Sequence, residues 1–131
     1  MPRFSEKSLT ILATCDERLQ RICMELIRQY DVKIIQGFRG QMDQEKAVKE
    51  GKSKKHWPMS KHNQHPSIAV DVVPFPIDWE DRERFFYMAG LFMAIANFMG
   101  IGIRWGGDWD RDKDFDDQRF DDLPHIELIS N

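Results

Sequence analysis

Cysteine is scarce in this chain of 131 residues: Cys15 and Cys23 are the only two. If both lay on one helix, their eight-residue spacing would put the Cα atoms about 12 Å apart. That is too far for a bridge, so two buried free thiols are expected and no disulfide framework is. No uninterrupted apolar run of membrane-spanning length is present either. The longest apolar stretch, residues 85–103, is broken by Asn97, Gly100 and Gly102 and follows Glu80, Asp81, Arg82, Glu83 and Arg84. Such a pattern fits a buried helix followed by a strand, with no stable insertion into a bilayer. The first seven residues hold no apolar core of a secretory leader, so the chain is expected to fold in a cytoplasm. An excess of one charge is also missing. Nineteen basic and 22 acidic residues give a net charge of −3, and without a basic tract nucleic acid is not an expected partner. Internal repeats and inter-domain linkers are absent.

Hydrophobic residues make up 41% of the chain and charged residues 31%, the composition of a soluble globular protein. A chain of this length buries roughly two-thirds of the surface its unfolded form exposes, so residues 1–131 are expected to form one domain, as a monomer. Leu19, Ile22, Cys23, Leu26, Ile27 and Tyr30 recur at helical spacing, with Asp16 as N-cap. A strand over 32–36, a short polar helix over 42–50 and a long loop over 51–66 follow. Residues 68–73 read as a strand stopped by Pro74. Asp78 is placed to cap a long helix over 79–99 that ends at Gly100. Strands are predicted over 101–105 and 125–129, with a second long, acidic loop between them. The order predicts a small α+β domain with a mainly antiparallel sheet and helices packed on one side.

The residues that carry chemistry lie in two places. Ser60-Lys61-His62-Asn63-Gln64-His65-Pro66-Ser67-Ile68-Ala69-Val70-Asp71 leads into one strand, and Asp122-Leu123-Pro124-His125 opens another. Two histidines and a carboxylate as ligands, with a spare carboxylate nearby, are the parts of a catalytic zinc site with its own general base. Asp71 stands among Ala69, Val70, Val72 and Val73, and a charge in so apolar a strand needs a partner. His125 starts the last strand. For the remaining ligand, His62 and His65 both precede Asp71 by less than ten residues, and spacing does not separate them. His56 has no carboxylate close in sequence and is read as a surface residue. Asp122, three residues before His125, is the candidate base. Glu127 shares a strand face with His125 and is a candidate to orient it.

Several of these pieces together resemble the zinc peptidases of the D-alanyl-D-alanine carboxypeptidase and L-alanyl-D-glutamate endopeptidase superfamily, in its phage-endolysin branch. The carrying motifs are Gly37-Phe38-Arg39 with Gln44, Ser60-Lys61-His62-Asn63 with Ala69-Val70-Asp71-Val72-Val73-Pro74, Trp105-Gly106-Gly107-Asp108-Trp109, and Asp122-Leu123-Pro124-His125-Ile126-Glu127-Leu128. The resemblance implies His62, Asp71 and His125 as ligands of one zinc ion and Asp122 as the catalytic carboxylate. It implies that Arg39 holds substrate or polarises the scissile carbonyl, with Gln44 and Ser60 lining the cleft. The gap of nine from His62 to Asp71 is longer than in many relatives and is tolerated in the endolysin branch.

The implied activity is hydrolysis of the L-alanyl-D-glutamate bond in the peptidoglycan stem peptide, leading to cell-wall lysis. The enzyme would wait in the host cytoplasm until the membrane is breached, and it would have no separate wall-binding domain. A D-alanyl-D-alanine carboxypeptidase, and a non-catalytic metal- or wall-binding module on the same fold, are the competing readings. The acidic loop adds one more expectation. Asp110, Asp112, Asp114, Asp116 and Asp121 fall at calcium-loop spacing, although Phe115 stands where such loops carry glycine. A plain solvated loop is the alternative there.

Overall fold

The computed structural model describes residues 2–114 and 121–129. In chain order the elements are α1 (Glu6–Leu12), α2 (Glu17–Gln29), β1 (Val32–Gln36), α3 (Gln41–Lys49), β2 (Ala69–Pro74), α4 (Arg82–Met99), β3 (Ile103–Trp105) and β4 (His125–Leu128), with a 3₁₀ turn at Lys61–Asn63. The four strands form one sheet of order β1-β2-β4-β3, antiparallel at every pairing. This is the α+β architecture the sequence predicts.

Strand alternation sorts the sheet into two faces. Ile34, Val70, Val72, Ile126, Leu128 and Trp105 belong to the core, together with Leu12 of α1, the apolar stripe of α2 and Phe85, Met88 and Phe92 of α4. The alternate positions, Asp71, His125 and Glu127, belong to the opposite face, where Asp71 pairs with His125 across β2 and β4. An irregularity between Ile34 and Gln36 then sets Gln36 opposite Asp71. Three helices cover one side of the sheet as expected. The short helix α3 contributes nothing to that core and serves the other face instead. Among the described residues no helix is long and apolar enough to cross a membrane.

Differences from the sequence reading have local causes. The helix α1 was not expected; it is short, and its start depends on Ser5, which accepts from Ser8 N at 3.1 Å. The long helix begins at Arg82 rather than Trp79, because Asp78 caps a preceding turn by accepting from Glu80 N at 3.0 Å. Pro74 belongs to β2 rather than stopping it, and β3 starts at Ile103. Asp16 caps α2 as predicted. Cys15 lies just before that helix, bridged to Ser67, so the two thiols do not share a helix; both are buried and free. Burial pushes the Cys15 thiol up to about 12 and raises Cys23 as well, which leaves neither reactive.

Candidate active site

Cross-strand pairing of Asp71 with His125 brings one carboxylate and one imidazole together, and the 3₁₀ turn delivers His62 to the same point. His62 Nε2 lies 3.3 Å from Asp71 Oδ1, and His125 Nδ1 lies 3.4 Å from it. Two ligands at corners of a tetrahedron with bonds of about 2.1 Å stand about 3.4 Å apart, so these separations suit one small ion shared by all three groups. All three donor atoms lie within 4.8 Å of one another. Among the described residues Asp71 Oδ1 is buried with no hydrogen-bond partner, a costly state for a carboxylate unless a cation satisfies it. Burial opposes the charge on Asp71, yet the neighbouring His62 and His125 outweigh it and hold the carboxyl well below its usual range. The donor set, two imidazoles and one carboxylate, is a familiar one for zinc.

Each imidazole is anchored through its other nitrogen, which fixes the nitrogen left for the site. His62 Nδ1 lies 2.9 Å from the Gly37 carbonyl. Gly37 must be a glycine, because a Cβ there would lie 2.4 Å from Thr14 Oγ1 and 2.8 Å from the Ile11 carbonyl. His125 Nε2 lies 2.8 Å from Glu127 Oε1, and Arg104 holds the other oxygen of Glu127 at 2.8 Å. Burial opposes the charge on Glu127, but His125 and Arg104 hold it down at about 2. His125 is raised to about 9: burial lowers it, and Asp71 and Glu127 more than compensate.

Asp122 enters from the loop before β4. Its carbonyl accepts from His125 N at 3.0 Å, and its own N–H donates to the Gly106 carbonyl at 2.9 Å. That approach leaves no room for a side chain at Gly106, where a Cβ would sit 2.0 Å from the Asp122 carbonyl oxygen. Burial and the charge of Asp71 push the Asp122 carboxyl up to about 6, with His125, His62 and Arg39 pulling the other way. A carboxylate poised near neutrality beside a ligand cluster is equipped to take and return a proton.

A cleft of about 1110 Å³ opens over this cluster, lined by Asp71, Asp122 and His125 with Arg39, Ser60 and His62. Arg39 Nη1 donates to Gln44 Oε1 at 3.0 Å. Gln44 itself is fully buried, so it supports Arg39 from behind rather than lining the cleft. Gln44 also receives a 2.9 Å bond from Asn63, which in turn accepts from Ser60 N at 3.0 Å. Ser60 and Asn63 form a capping box over the 3₁₀ turn that carries His62. Ser-x-x-Asn was legible as a cap, but the role of Asn63 was not drawn from it. Arg104 was missed altogether, since its register beside Glu127 emerges only from the pairing of β3 with β4.

The remaining candidates fall outside the cluster. His65, left open against His62 by spacing, is exposed and meets Phe38 edge-on at 5.0 Å between ring centroids. His56 is exposed, as its surface reading expects, and pairs with Glu45, eleven residues away in sequence, at 2.8 Å. In the acidic loop Asp108, Asp110 and Asp112 bring their oxygens together, so the grouping starts two residues before the predicted calcium loop. Asp121 is committed to an ion pair with Arg82 at 2.7 Å, and Asp116 lies outside the described residues. Asp108 Oδ1 is buried with no hydrogen-bond partner among the described residues. Burial, aided by Asp110 and Asp112, raises its pKa.

Comparison with known proteins agrees in one direction. The profile of the phage L-alanyl-D-glutamate peptidase family matches residues 1–129. The L-alanyl-D-glutamate peptidase of Escherichia phage T5 is 30% identical over 135 residues, covering 97% of this chain and 98% of that protein. Among solved structures, the Serratia marcescens L-Ala D-Glu endopeptidase ChiX superposes with a TM-score of 0.77 at 24% identity, over 98% of this chain and 91% of that one. That last likeness speaks to the fold.

Proposed function

The chain belongs to the phage L-alanyl-D-glutamate peptidase family, and from that footing we propose that it is a zinc-dependent peptidase that hydrolyses the L-alanyl-D-glutamate bond of the peptidoglycan stem peptide and so lyses the cell wall. The observation that carries the reading is the buried Asp71 oxygen, without a hydrogen bond among the described residues and set between His62 and His125, with Asp122 beside them. His62 Nε2, Asp71 Oδ1 and His125 Nδ1 would hold the ion. A zinc ion supplies Lewis acidity to water and to the scissile carbonyl. Asp122 takes the proton of the attacking water and passes it to the departing D-glutamate nitrogen. A positioned base of this kind contributes about 10²- to 10⁴-fold. Arg39, fixed by Gln44, offers a cation to the oxygen that becomes negative as the carbonyl carbon turns tetrahedral. Ser60 borders the cleft beside His62.

The enzyme would act from the host cytoplasm, as a monomer, once the membrane is breached. A D-alanyl-D-alanine carboxypeptidase would share the centre but release terminal D-alanine. A module that only binds metal or wall has no use for a buried carboxylate poised near neutrality. Mass spectrometry of muropeptides digested by the purified protein separates these readings. New amino-terminal D-glutamate is expected. Release of D-alanine would point to the carboxypeptidase, and unchanged muropeptides would overturn the peptidase assignment.

A further inference from the structure

The segment joining β2 to α4 exposes more apolar surface than a turn requires. Phe75 is 52% exposed, Ile77 40% and Trp79 56%, and clustered exposed apolar side chains mark contact surfaces. Trp79 is also held in place. Its ring lies nearly parallel to that of Phe85, at 19° with centroids 5.6 Å apart, and Phe85 is 1% exposed. Arg84 donates to the Pro76 carbonyl and ties the segment to α4. One face of the indole is therefore covered, and the other is presented to solvent as a fixed platform. That indole lines the same cleft as Asp122 and His125, next to the Arg82–Asp121 ion pair. A flat aromatic face bordered by hydrogen-bonding groups suits a pyranose, whose ring has an apolar face and a rim of hydroxyls.

The chemistry of the substrate brings a sugar to this rim. In peptidoglycan the amino group of the stem L-alanine is joined through a lactyl group to the muramic sugar. If the enzyme cuts after that alanine, only two links separate the scissile carbonyl from the sugar. At no more than ~3.6 Å per link, that is about 7 Å. The ring therefore stays within the cleft or at its mouth.

We propose that Trp79 is a glycan subsite that seats the muramic sugar of the strand whose stem peptide is being cut. This inference rests on the peptidase reading, and the experiment separates the two. Cleavage is measured on a free L-alanyl-D-glutamyl stem tripeptide and on the same tripeptide carried by its muramyl disaccharide. Trp79→Leu keeps an apolar cover on Phe85 while removing the flat face. It should lower the ratio of kcat/KM on the linked substrate to that on the free one about tenfold, mainly through KM. Trp79→Tyr should retain most of the ratio, and Phe98→Ala, at a residue 93% exposed near the C-terminal end of α4, should leave it unchanged. An unchanged ratio in a folded Trp79→Leu protein would overturn the glycan subsite. So would a loss that follows the length of peptide beyond D-glutamate. If the wild-type protein cleaved neither substrate, the peptidase reading itself would fall.

Discussion

Replacing Asp122 with asparagine should remove activity and at the same time stabilise the metal-free protein. The carboxyl is pushed up to about 6 by burial and by Asp71, against about 3.9 for an unperturbed aspartate. Each unit of such a shift is worth about 1.4 kcal/mol. Two units would be about 3 kcal/mol, and the open cleft reduces the value to about 2 kcal/mol through solvent screening. The sign follows from a raised folded-state pKa. The stability that comes from proton uptake is fully present below about pH 4 and is lost as pH rises through about 6. An asparagine side chain carries no charge at any pH, so the Asp122→Asn protein should match wild type near pH 4 and gain on it above pH 6. For a chain of this size the gain corresponds to about 5–10 °C in Tm. Thermal melts from pH 4 to 8 in chelator measure this, alongside hydrolysis of a stem peptide, where kcat should fall about 10²- to 10⁴-fold. Zinc should shrink the stability gain, because a cation beside Asp71 offsets the repulsion that Asp122 feels. A variant that is active, or no more stable than wild type at pH 8 in chelator, would refute the reasoning.

Three other changes probe the supports of the site. Glu127→Gln weakens the grip on His125 Nε2 and should lower zinc affinity about 10- to 100-fold, read by competition with a chromogenic chelator. Gly106→Ala would place a Cβ 2.0 Å from the Asp122 carbonyl oxygen; the loop must move, so activity should collapse even when zinc still binds, as hydrolysis and metal analysis of one preparation would show. Calcium should raise Tm if Asp108, Asp110 and Asp112 take it up, and Asp108→Asn should cancel that rise; a wild-type Tm indifferent to calcium would leave the loop a solvated acidic stretch.

How much of this was legible in the sequence differs from element to element. The α2 stripe from Leu19 to Tyr30 shows on a helical period, and the strand around Asp71 declares itself by its apolar neighbours. Asp71 and His125 were recognisable as site candidates because a charge and an imidazole interrupt patterns that otherwise bury carbon. Spacing alone did not separate His62 from His65; only the motif resemblance favoured His62. In the structure that choice depends on the Ser60–Asn63 capping box and on the Gly37 carbonyl, 25 residues upstream, which receives His62 Nδ1. Gln44 resembled a cleft residue by motif, yet its amide is consumed by Arg39, Asn63, Ser53 and Lys55. Helix starts were misplaced where a side chain caps a turn instead of the helix, as Asp78 does. Arg104 and the Trp79 platform depend on tertiary neighbours, strand register in one case and the Phe85 ring in the other, and a linear pattern carries neither.

The central claim is that His62, Asp71 and His125 form a metal centre on which cleavage depends. Its most direct test is the rate of hydrolysis of a defined L-alanyl-D-glutamyl peptide by one preparation as purified, after exhaustive chelation, and after stepwise return of zinc. The account predicts loss of activity on chelation and its recovery at one equivalent of zinc per chain. Undiminished hydrolysis in the chelated, metal-free protein would contradict it.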